Sequence, residues 1–290
     1  MTSRELVRRT LEFENKTGVV PRQLWTLPIS EWNYGDTIAK IRRDFPADFA
    51  GPSCSYSAKM PGKGDPYRNG IWIDDWGCKF TNIHEGVIGE VRTPLVEDDD
   101  WEDVDKIHIP REWLTFNRDE VNESCRHSDK FMMADCCPRP FEQLQFIRKT
   151  ENLYMDLMDI PKKMEKFMGQ MHSFYCELLE EWAKTEVDGL GFMDDWGSQR
   201  SLLINPELWR KLFKPMYQDY IDIAKRYGKK MFMHSDGHIL DILPDLAEMG
   251  LDAVNSQIFC MGVKNLEPLA GKITFWGEID RQHLLVEGTT

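Results

Sequence analysis

From about residue 185 onward the chain repeats one pattern, and that repetition restricts the fold more than any other feature. A short apolar run ends in polar residues, an amphipathic helix follows, and the next apolar run begins. In order the runs are VDGLGFMDDWG from Val187, KKMFMHSDG from Lys229, LDAVNSQ from Leu251 and KITFWGEID from Lys272. A helix's length of chain between successive strands implies right-handed crossovers and a parallel sheet. The helix after the first run is announced by Asn205 as N-cap and Pro206 at the first helical position, with Gly228 as its stop. Pro215 predicts a kink in it. The next helix, HILDILPDLAEMG, carries Ile239, Ile242, Leu243 and Leu246 at helical spacing and stops at Gly250.

Three earlier segments extend the scheme to seven strands: residues 22–27, 47–51 and 130–135, the last followed by a helical segment that includes Tyr154 and Trp182. Between the second and third, residues 68–95 alternate apolar and polar side chains and turn at His84-Glu85-Gly86 and again near Gly89. This reads as a β-hairpin insertion followed by an acidic loop. Asp-Asp-Trp-Gly occurs at 74–77 and again at 194–197, but the flanks differ and no repeat period emerges. The expectation is one domain over 1–290 with a helical arm over about 1–20. Seven strands are one short of a (β/α)8 barrel, so either an eighth unit follows Thr290 or the sheet is open.

Composition narrows the partners. A net charge of −13 argues against nucleic acid, because phosphate backbones are held by clustered Lys and Arg. No run approaches the length of a membrane span, and the charged amphipathic N-terminus lacks a signal-peptide core, so a cytoplasmic protein is expected. The 7 cysteines are odd in number and contain no C-x-x-C, which argues against both a disulfide scaffold and a zinc ribbon. The adjacent Cys136-Cys137 pair reads equally as a redox or soft-metal site and as buried small residues.

In a parallel α/β sheet the ligand lies at the carboxyl ends of the strands. Those ends carry Asp135 and Cys136, then Asp194 and Asp195, then His234 and Asp236, then Asn255 and Gln257, and finally Glu278 and Asp280. Carboxylates around one imidazole suit a divalent metal. They also suit metal-free acid and base chemistry, in which crowded carboxylates raise each other's pKa. Asp236 reads both as a ligand and as the N-cap of a helix opening near His238. Trp25, Trp196 and Trp276 read as walls for a flat ligand or as barrel filling. His238 and Asp241 should face solvent, and His84, His108, His127, His172 and His283 show no partner pattern.

Taken together, the helix SRELVRRTLEFE, the WIDDWG insertion, FMDDWGSQ, PELWRKLFKPMY, HSDGHILDILPDL, DAVN and FWGEIDRQHLL resemble the uroporphyrinogen decarboxylase superfamily, and within it the branch related to corrinoid-dependent methyltransferases. The resemblance implies a (β/α)8 barrel whose eighth strand follows Thr290, so the chain looks truncated. Two departures choose between branches. The decarboxylases carry an arginine-rich MRQAGR signature after the first strand, whereas this chain reads Pro21-Arg22-Gln23-Leu24-Trp25-Thr26-Leu27, with one arginine. The methyltransferases hold zinc with His-x-Cys after the fifth strand and a later Cys, and here that place reads His234-Ser235-Asp236. Loss of the thiolate gives a harder site, less suited to a thiol acceptor and still suited to polarising an oxygen-bound methyl donor.

The resemblance therefore implies a methyltransferase of anaerobic one-carbon metabolism that moves a methyl group between a small substrate and a cobalamin carried by a corrinoid partner protein. Zinc would sit on His234, Asp236 and Glu278, and Asp194 would orient substrate. Arg22, Trp25, Asp195, Trp196, Asn255 and Gln257 would line the substrate site. The alternatives are a carboxy-lyase acting without metal and a non-catalytic tetrapyrrole or corrinoid binder. The oligomeric state stays open, a homodimer included.

Overall fold

A computed structural model describes residues 1–134, 136–280, 282–284 and 288. The strand-end residue Asp135 lies outside the described residues.

Among the described residues, six parallel strands follow one another across the main sheet. They are β1 (Phe49–Ala50), β5 (Phe131–Met132), β6 (Gly189–Met193), β7 (Lys230–Ser235), β8 (Ala253–Ser256) and β9 (Thr274–Trp276). A parallel bridge from Met133 to Gly189 joins the first pair to the other four. The sheet curls, because the Phe49 ring on the first strand stacks on Trp276 of the last at 6.0 Å and 16°. Phe49, Phe131 and Phe232 fill its inner face, packed with Val7 and Leu11 of α1 (Ser3–Leu11).

Helix α1 is shorter than the expected arm. It begins at a capping box in which Thr2 accepts from the Glu5 amide and Glu5 from the Thr2 amide. Its Arg4 and Arg8 bind Asp188, just before β6, at 2.9 and 2.6 Å. The amino ends of the strands are thereby closed, and the carboxyl ends are left to form the site.

Residues 22–27 form no strand. Arg22 exchanges hydrogen bonds with Asp48, but Leu24, Trp25 and Leu27 are exposed, and Pro28 opens α2 (Pro28–Asp44) directly afterwards. The contacts of Arg22 fall on Asp48, ahead of β1, and the exposed side chains that follow bury too little apolar surface to offset the entropy of ordering a strand.

Residues 70–93 form a separate antiparallel sheet of β2 (Gly70–Ile73), β3 (Lys79–Asn82) and β4 (Glu90–Thr93). The first Asp-Asp-Trp-Gly is its β2–β3 turn: Asp74 Oδ1 accepts from the Trp76 and Cys78 amides, and Gly77 takes φ +91°. Both His84-Glu85-Gly86 and Gly89 fall in the single connection from β3 to β4.

The long helical stretch divides into α4 (Pro140–Arg148), α5 (Thr150–Met158) and α6 (Lys162–Ala183). After β6, α7 (Pro206–Leu212) and α8 (Lys214–Arg226) meet at Phe213 because Pro215 starts a new helix there. Asn205 caps α7 through the Glu207 amide at 2.8 Å. Helix α9 (Leu243–Met249) starts later than the apolar spacing suggested, with Pro244 in its first turn, yet Ile239, Ile242, Leu243 and Leu246 are all buried. Among the described residues no helix is long and apolar enough to cross a membrane.

Candidate metal centre

The carboxyl ends of β6 and β7 are laced together. The Asp194 amide donates to the His234 carbonyl, the Trp196 amide to Ser235 Oγ, the Asp236 amide to Asp195 Oδ1 and the Gly197 amide to the Asp236 carbonyl. The last contact brings two backbones so close that only glycine fits: a Cβ on Gly237 would lie 2.0 Å from the Gly197 oxygen, and Gly237 also takes φ +79°.

This lacing assembles Asp195, His234 and Asp236, whose ligand atoms all lie within 4.8 Å of one another. His234 Nε2 stands 3.6 Å from Asp195 Oδ1 and 3.9 Å from Asp236 Oδ1. Asn255 sets the tautomer. Its Nδ2 donates to the Trp276 carbonyl at 2.7 Å, which turns its Oδ1 toward His234 Nδ1 at 2.6 Å. An oxygen there can only accept, so Nδ1 carries the proton and the Nε2 lone pair points at the carboxylates. A neutral imidazole and two carboxylates converging on one point fit a divalent cation such as zinc.

The expected ligand set thus changes in one member. Asp195, expected to touch substrate, joins His234 and Asp236, while Glu278 lies on the wall of the adjoining cavity outside this group. Asp236 does not cap a helix at His238, because α9 begins only at Leu243 with Ile242 as its N-cap.

That cavity, of about 800 Å³, is lined by Arg22, Trp25, His234, Asp236, Asn255, Trp276 and Glu278 among others. Trp25 lies edge-on to Trp276 at 4.8 Å and 5.8 Å from the His234 ring, so these two tryptophans do wall it. Arg22 is the one cation among the described lining residues.

Three expected site residues are placed elsewhere. Asp194 is fully buried and accepts from the Phe141 and Glu142 amides at the start of α4 and from Tyr217 Oη at 2.5 Å. Burial pushes its carboxyl well above the usual range, against these donors. It joins α4 and α8 to the end of β6 and does not reach the cavity. Trp196 is core, stacked on Phe141 at 4.0 Å with Nε1 donating to Tyr217 Oη. Gln257 bonds to Gln199 at 3.2 Å, outside the cavity wall. His238 is half-buried rather than solvent-facing, and His172 does have a partner, Asp219 at 2.9 Å.

Sequence reading passed over Arg139 and Glu142, which pair at 3.2 Å at the start of α4. Burial pushes the Glu142 carboxyl up, the Asp195 carboxylate adds to the rise, and Arg139 opposes it. The signal that could have found them is Arg139-Pro140-Phe141-Glu142, a helix start directly after a strand end.

The family follows from comparison. The profile described as uroporphyrinogen decarboxylase (URO-D) matches residues 73–290, and the chain belongs to that family. Among solved structures, a methyltransferase from Methanosarcina mazei superposes with a TM-score of 0.62 at 13% identity, covering 100% of this chain and 86% of that one. The 3-keto-D-glucoside 4-epimerase YcjR from E. coli reaches a TM-score of 0.36 at 11% identity, over 62% of this chain and 70% of that one. No curated protein matches the sequence. The fold is accordingly a URO-D-like α/β fold, shared with that methyltransferase.

Proposed function

We propose that the protein is a methyltransferase that moves a methyl group between a small substrate and the cobalt of a cobalamin carried by a corrinoid partner protein. The observation that carries the reading is the Asp195, His234 and Asp236 cluster, with Asn255 holding His234 in its metal-binding tautomer. Likeness of fold to a methyltransferase supports it.

Asp195, His234 and Asp236 would hold zinc, which bound there supplies a Lewis acid for the heteroatom that carries the methyl group. With no thiolate in the set, the site favours methyl donors that bind through oxygen or nitrogen over those that bind through sulfur. Trp25 and Trp276 exclude water from one side of the cavity, and Glu278 lies on its wall to exchange a proton with the demethylated product. A carboxy-lyase acting on a multiply carboxylated tetrapyrrole fits less well, because Arg22 alone among the described lining residues could pair with carboxylates.

The test is to mix zinc-loaded protein with cob(I)alamin and methoxy, methylamine or methyl thioether donors and follow the cobalamin spectrum. The reading expects methylcobalamin to form with an oxygen or nitrogen donor, dependent on zinc. No change with any donor would overturn it.

A further inference from the structure

The Asp74-Asp75-Trp76-Gly77 turn, which the metal centre does not use, lines a second cavity of about 660 Å³ between the β2–β4 sheet and the helices. Tyr56, Tyr67, Trp72 and Trp113 are half-buried and contribute to its wall. Asp75 accepts from Trp113 Nε1 at 2.7 Å and from the Gly62 amide at 2.9 Å. Asp74 accepts from two backbone amides.

All of these donors are neutral. Among the described residues neither aspartate has an ion-pair partner, and Arg139, the cation on the wall, is committed to Glu142 at 3.2 Å. Two half-buried carboxylates without counter-charge give the cavity a negative potential, and aromatic faces attract a cation through their quadrupoles. An anion would meet repulsion from the aspartates. A small inorganic cation, strongly hydrated, would gain nothing from the rings. The volume suits a small organic molecule.

We propose that this cavity binds an organic cation with a methylated ammonium head, of about the size of choline. The Glu142 carboxyl, paired to Arg139, also lines the cavity. Binding of the cation depends on neither zinc nor methyl transfer.

The test is isothermal titration of metal-free full-length protein with choline and with 3,3-dimethylbutan-1-ol, its isostere with carbon in place of the charged nitrogen. The expected result is saturable binding of choline, about tenfold or more tighter than the neutral isostere, and weakened about tenfold by Trp72→Leu. Asp74→Asn, which keeps the acceptor oxygen of the turn, should weaken it as well, with circular dichroism confirming that both variants fold. Equal affinity for the two compounds, absence of saturable choline binding, or unchanged affinity in both folded variants would overturn the proposal. Because the protein is metal-free, these outcomes are read separately from those of the cobalamin experiment.

Discussion

Asn255 fixes His234: its Oδ1 accepts from His234 Nδ1 at 2.6 Å while its Nδ2 is held by the Trp276 carbonyl at 2.7 Å. Replacing Asn255 by Leu removes the acceptor and frees the ring to change tautomer. Zinc affinity should fall by about 10- to 100-fold, the usual effect of losing a partner behind a ligand. Asn255→Asp restores the acceptor for Nδ1 but sets an oxygen against the Trp276 carbonyl, so it should recover only part of the affinity. Competition with a chromophoric chelator measures both.

Asp195 should matter to the metal and Glu278 should not. Asp195→Asn removes one anionic ligand beside His234 Nε2 and is expected to weaken zinc by about tenfold or more. Glu278→Gln should leave zinc affinity unchanged and lower only turnover. The same chelator assay run on both variants checks the assignment.

Asp194 and Tyr217 should prove structural. Asp194→Ala uncaps α4 and orphans the buried Tyr217 hydroxyl, which should cost about 2–4 kcal/mol of stability. Urea denaturation should show a lower midpoint with an unchanged slope.

Much of this was legible before any coordinates, and the exceptions share physical causes. The strands from β6 to β9 and the break near Pro215 follow from periodicity and caps, which are local properties. Residues 22–27 have the composition of a strand, but pairing is a tertiary property, and here Leu24, Trp25 and Leu27 stay exposed. Of two adjacent acids, Asp194 and Asp195, sequence cannot say which faces inward, because successive side chains along a strand point to opposite sides. Here Asp194 is drawn to the amides of α4 and Asp195 to the amide of Asp236. Glu278 was preferred as a ligand because it ends a strand, and that criterion carries no distances.

Asp74 should give the stability a distinct pH dependence. Burial raises its carboxyl from 3.8 to about 6. The folded state therefore binds a proton more tightly than the unfolded chain, and stability falls as pH rises through this window, by up to about 3 kcal/mol. Asp74→Asn keeps the oxygen that the Trp76 and Cys78 amides need. It should remove that slope and raise the melting temperature at neutral pH, as calorimetry between acidic and neutral pH would show.

Gly237 should tolerate no side chain. Gly237→Ala puts a methyl group 2.0 Å from the Gly197 oxygen and strains a positive φ. Asp195 and Asp236 would be forced apart, and zinc binding should fall even where the variant stays folded by circular dichroism.

Zinc content tests the central claim most directly. The wild-type chain and His234→Ala are loaded with zinc, dialysed and subjected to elemental analysis. The structure predicts about one zinc per chain in the wild type, lost in the variant. A folded wild type that retains no zinc, or a variant that retains as much, would contradict it.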